Sequence, residues 1–171
     1  MAGQLIQVAT NTVTSAVSSV QLIGTTTDDV YLVTVMGAEM SSLVDIPFRF
    51  TVSGTADSTS NYDYASKRLV ASTSFANISA TNQAQMDMSV AVSGSNDLAM
   101  FMIYIYNANN SSEYTFCTFE SVNTSDGTAT VQGDMGGGVL TVAQSTDGIE
   151  FFDNGGSANI ASGTFTLYKV V

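Results

Sequence analysis

The stretch Leu98–Tyr106 reads Leu-Ala-Met-Phe-Met-Ile-Tyr-Ile-Tyr, without a single polar break. It is shorter than the ~20 apolar residues that a membrane-crossing helix needs. As a strand it places Leu98, Met100, Met102, Tyr104 and Tyr106 on one face and Ala99, Phe101, Ile103 and Ile105 on the other, because side chains alternate across a sheet. Both faces are then apolar, whereas an antiparallel strand commonly keeps one face in water. The second face has to be covered by another layer of the chain or by another subunit. Phe101, Ile103 and Ile105 are expected to join the core. Met100, Met102 and Tyr104 are the candidate subunit contact, unless a short helix or loop over Ala76–Gln85 lies on them.

The remainder of the chain points to β-structure. Its 171 residues suit one domain, 1–171, with residues 1–10 as a possible N-terminal arm. Such an arm, through Leu5 and Ile6, would add a strand to a neighbouring sheet; the plainer reading is a first strand of the chain's own sheet. Charged residues make up only 11%, and Ser plus Thr supply about a quarter of the chain. Thr and Val favour pleated surfaces, and the good helix formers Lys, Arg and Glu are scarce.

Apolar alternation between turn signals predicts about nine or ten strands in an antiparallel β-sandwich, jelly-roll-like. Ile46, Phe48, Phe50 and Val52 share a face, and Pro47 marks a strand start or an edge. Met86, Met88, Val90 and Val92 form a half-buried strand. Asn107–Ser111 is a hairpin connection into Glu113–Ser121. Gly136-Gly137-Gly138 reads as a loop before a strand over Val139–Ala143. Asp126-Gly127, Asp147-Gly148 and Asn154-Gly155-Gly156 read as turns.

Several functions are disfavoured by what the side chains can do. The net charge is −11, with Arg49, Lys67, Arg68 and Lys169 as the basic residues. Four cations cannot line a phosphate track, so nucleic acid and anionic membrane surfaces are not expected partners. There is no histidine, which removes the commonest general base and most zinc sites. The glycine run lacks the Lys and Ser/Thr of a phosphate-binding loop. Paired carboxylates for glycoside hydrolysis would have to come from Glu113, Glu120, Asp147, Glu150 and Asp153, in a chain without Trp to stack a sugar. Asp126, Asp134, Asp147, Asp153 and Asn154 are placed in loops but lack the spacing of a calcium loop, and turn formation accounts for them.

No enzyme, cofactor or metal is therefore expected. Cys117, the single cysteine, reads as a small buried hydrophobe. No basic segment followed by an apolar one marks a secretory signal, so folding in a cytoplasm is expected. Tyr62 and Tyr64, beside Lys67 and Arg68, form an aromatic and basic group of the kind found at interfaces.

Four stretches in order carry a family likeness: Val52-Ser53-Gly54-Thr55-Ala56-Asp57, Ser60-Asn61-Tyr62-Asp63-Tyr64, Ser111-Ser112-Glu113-Tyr114-Thr115-Phe116, and Ala161-Ser162-Gly163-Thr164-Phe165-Thr166-Leu167-Tyr168. Together they resemble small virion structural proteins of tailed bacteriophages, especially those of marine and cyanobacterial hosts, over roughly residues 12–171. The resemblance implies a β-sandwich built into the virion after assembly in the host cytoplasm. It implies a capsid decoration (cement) protein, a homo-oligomer of the trimer type, seated on the phage major capsid protein. The alternative is a tail or fibre module that binds a host glycan.

Overall fold

The computed structural model describes residues 3–71, 75–88, 91–92, 98–125, 130–153 and 155–171. These form fourteen strands and no helix: β1 (Leu5–Val13), β2 (Ser19–Ile23), β3 (Tyr31–Met40), β4 (Val44–Asp45), β5 (Phe48–Val52), β6 (Thr55–Ala56), β7 (Tyr62–Val70), β8 (Ala76–Gln83), β9 (Ala91–Val92), β10 (Ala99–Tyr106), β11 (Thr115–Ser125), β12 (Thr130–Leu140), β13 (Gly148–Phe152) and β14 (Ile160–Val170). A large sheet of eight strands runs β1-β14-β3-β10-β11-β12-β7-β8, and a small sheet of four runs β2-β13-β5-β6. All pairings are antiparallel, and the two sheets stack as a sandwich. The strand count exceeds nine or ten because β4, β6 and β9 are only two residues long and leave no periodic signal, and because β8 has no clear strand pattern.

Aromatic rings join the layers. Phe151 of the small sheet has ring-centroid separations of 5.6 Å from Phe101 and 5.3 Å from Phe165, both on the large sheet. Phe48 and Phe50 extend the cluster along β5. Ile46, Phe48 and Phe50 are fully buried as the alternation predicts, and Pro47 directly precedes β5; the pattern breaks at the strand end, where Thr51 is buried and Val52 only half-buried. Beyond the small sheet, the inner face is covered by Met86, Met88 and the β4–β9 pair. Cys117 lies here, buried, with its thiol 3.2 Å from the Met86 sulfur.

Three expectations are corrected. Met86 and Met88 are buried but not in a strand: Met86 makes an isolated bridge to Phe48, and only Ala91–Val92 of that stretch is a described strand. Residues 76–85 hold no helical turn: Ala76–Gln83 is β8, at the far edge of the large sheet, where pairing with β7 supplies its backbone partners. Gly136–Gly138 is the middle of β12 and not a loop. Glycine is required there by close approach. A Cβ on Gly137 would come within 2.6 Å of the Cys117 carbonyl oxygen, and one on Gly138 within 2.8 Å of the Met86 sulfur.

Residues 1–10 show no separate arm in the described part. Leu5 pairs with Val170 and Ile6 with Lys169, so β1 is an ordinary first strand of the large sheet. Asn107–Ser111 does connect β10 to β11, with Asn107 at φ 58°. Val90, Asp126, Gly127 and Asn154 lie outside the described residues.

Candidate interaction face

β10 divides its two apolar sets cleanly. Phe101, Ile103 and Ile105 are at most 2% exposed, while Met100, Met102 and Tyr104 are 41%, 44% and 39% exposed. No other part of the described chain covers the second set. Because the register is continuous, these residues belong to rows crossing the whole sheet. One row runs Thr10, Thr166, Thr34, Met102, Glu120, Met135, Lys67, Asn77. The next runs Gln7, Tyr168, Leu32, Tyr104, Thr118, Gly137, Ala65, Ser79. On the other side lie Thr12, Thr164, Met36, Met100 and Val122.

Over β3 and β10–β12 this outer face is rich in apolar side chains, interrupted by Thr34, Thr118 and Glu120. Met36, Met100, Met102, Val122 and Met135 are all exposed. In these three rows the charged side chains are Glu120 and Lys67, of opposite sign, on either side of Met135. Lys67 donates to the Asn77 side-chain oxygen at 2.8 Å. Toward β1 the face changes to threonine. Thr10 and Thr166 share a hydroxyl hydrogen bond at 3.0 Å, and Thr12 and Thr164 one at 3.3 Å.

The other expected contact residues lie elsewhere. Tyr62 is fully buried and on the inner face: its hydroxyl accepts the Phe50 N–H at 3.1 Å and donates to the Asp57 carbonyl at 2.9 Å. Tyr64 and Arg68 share that inner side, spaced two and six residues further along β7. The aromatic and basic group is therefore split by strand alternation, and only Lys67 of the set joins the outer face. Leu5 and Ile6 are exposed on the edge strand β1, away from the methionine-rich centre. Met36, Val122 and Met135 were not singled out from the sequence. Their signal was alternation in β3, β11 and β12, hidden in β12 by the glycine run.

Two carboxylates with raised pKa feel the Arg68 charge, Asp134 in β12 and Asp45 in β4. Asp134 is fully buried in β12, not in a loop, and its Oδ2 lies 3.4 Å from Arg68 Nε. Burial pushes its carboxyl up, against the pull of Arg68. Burial, and then the negative charge of Asp87, pushes Asp45 up to about 6, while Arg68 pulls the other way.

The remaining carboxylates have local duties. Asp147 accepts the Thr51 hydroxyl at 2.6 Å and the Gly54 N–H at 2.7 Å. Burial works against ionisation of Asp153, but N–H donors from Ala158, Gly155 and Ser157 outweigh it and hold the carboxyl below its usual range. Glu150 accepts from Gln21 across the small sheet. Among the described residues, no three His, Cys, Asp or Glu side chains are placed to hold a metal ion. Burial pushes the Cys117 thiol up to about 12, so it is not an activated nucleophile.

No protein-family model matches this chain, and no curated protein does. Among solved structures it aligns with a fructofuranosidase from Schwanniomyces occidentalis complexed with fructosylnystose, at 7% identity and a TM-score of 0.21. The alignment covers 96% of this chain and 34% of that one, so the chain spans about a third of the enzyme's length. At that score the likeness carries no argument about fold or activity.

Proposed function

We propose that this chain is a non-enzymatic structural protein of a bacteriophage virion, a capsid decoration (cement) protein that assembles on the outer shell and stabilises it. The observation that carries the reading is the outer face of the large sheet, which presents apolar side chains to solvent across β3 and β10–β12. Contiguous exposed apolar surface of this extent marks an interaction site. The phage assignment comes from the sequence resemblance, and the sandwich suits it. A shell component needs a stiff fold, a soluble surface and an adhesive one. Of the carboxylates considered for catalysis, Asp147, Asp153 and Glu150 are tied into turns or cross-strand bonds, while Glu113 and Glu120 stand exposed on separate strands or loops. Burying the sheet face across a joint between shell subunits would add stability in proportion to the apolar area removed from water.

Copy number in purified particles tests the reading. A count on the scale of the major capsid protein is expected, with loss of particle heat resistance when the protein is stripped. A few copies confined to the tail would contradict it.

A further inference from the structure

We propose that the partner on the outer face is a second copy of this chain, packed sheet against sheet about a two-fold axis that passes Met135. The proposal rests on reading this face as a contact surface and adds which molecule covers it. Three features of the face argue for a copy of itself.

The first is area. An axis along β12 lays five strands, β10, β11, β12, β7 and β8, over their counterparts, roughly 700 Å² per copy at ordinary strand spacing and rise. Stable interfaces bury roughly 600–1,000 Å² from each partner. A sheet partner also has the right shape, since sheets stack about 10 Å apart with interdigitated side chains.

The second is charge. The chain carries −11, so two copies repel each other over most of their surfaces. The three central rows of this face contain Glu120 and Lys67, which cancel. Here two copies can approach without a like-charge penalty.

The third is self-complementarity. Glu120, Met135 and Lys67 are cross-strand neighbours in one row on β11, β12 and β7. A two-fold axis along β12 through Met135 sets each copy's Lys67 against the other's Glu120 and packs Met135 on Met135. An isologous contact requires this pattern, in which one residue meets another and is met by it in return. Methionine suits the centre of such a contact because its flexible, polarizable side chain fills irregular gaps.

Light scattering and sedimentation of the full chain, alone and as the variants E120K, K67E and E120K/K67E, test the proposal. Both positions lie on the exposed face, and circular dichroism checks that the variants fold. The expected result is a dimer whose dissociation constant rises at least about tenfold in each single reversal and returns toward the parent value in the double variant. A monomer at every concentration, a trimeric mass, or single and double reversals with equal effect would overturn the two-fold pairing. Particle binding separates the two readings. A monomer that still coats shells in high copy leaves the decoration role standing and removes this pairing. A dimer that never associates with particles does the reverse.

Discussion

Methionine occupies two contrasting regions of this molecule. Met40, Met86 and Met88 lie in the interior, at most 1% exposed, whereas Met36, Met100, Met102 and Met135 stand on the outer face of the large sheet. The interior set fills space: Met86 packs against the Cys117 thiol and occupies the room left by Gly138. The outer set has Thr34, Glu120 and Val122 as cross-strand neighbours but no covering layer. The same residue type thus serves as gap filler on one side of a sheet and as uncovered apolar surface on the other. The sheet is finished as a fold without its outer face being buried, which leaves that face free to bind.

Substitutions on the two sides should therefore fail in different ways. The largest effect is expected inside: Ile103→Ala removes a fully buried side chain of β10 and should cost about 2–5 kcal/mol of stability in denaturant unfolding. Met102→Asp, one position away on the opposite face, should leave the midpoint of unfolding nearly unchanged and weaken self-association at least about tenfold by sedimentation. Equal unfolding by both variants would erase the distinction between the faces.

A smaller effect concerns the interior carboxylates. Asp45 has a folded pKa of about 6, above its unfolded value, so its stabilising contribution is full below the unfolded pKa and lost as pH rises through about 6. Asp57 and Asp153 are shifted downward, so their contributions are present above the unfolded pKa and are lost as pH falls below it. These contributions together peak near the unfolded carboxylate pKa, at about pH 4. Asp45→Asn should raise the melting temperature at pH 7 and change it little at about pH 3.5, with solvent screening holding the gain to about 1 kcal/mol. A variant that melts like the parent across that range would refute the assignment.

The smallest effect belongs to the threonine end of the outer face. Thr10→Val removes one hydroxyl bonded to Thr166 and to the Phe165 carbonyl, and should cost about 0.5–1 kcal/mol with no change in association. A loss of association comparable to that of Met102→Asp would extend the contact across the whole face.

Much of this contrast was legible in the sequence. The period-2 split of Leu98–Tyr106 placed Phe101, Ile103 and Ile105 inside and Met100, Met102 and Tyr104 outside, because a rigid aromatic and β-branched set alternates there with a flexible one. The neighbouring strands were harder to read. β12 contains three consecutive glycines, whose usual meaning is a turn, and the need for close approach to Cys117 and Met86 arises only from long-range packing. β8 has weak local preference and becomes a strand through its partner β7. Tyr62 looked exposed because Asn61 and Asp63 flank it, yet its hydroxyl is satisfied by Phe50 and Asp57 within the fold. Arg68 finds Asp134 66 residues away, a pairing that no local pattern announces.

The central claim is that the outer methionines are covered only by assembly. Brief peroxide oxidation followed by peptide mass spectrometry, at dilute and concentrated protein, tests it most directly. Met100, Met102 and Met135 should oxidise readily in the dilute monomer and be protected on concentration, while Met36 on β3, beyond the overlap, stays reactive and Met40, Met86 and Met88 are protected throughout. Equal oxidation of Met100, Met102 and Met135 at both concentrations would contradict the account.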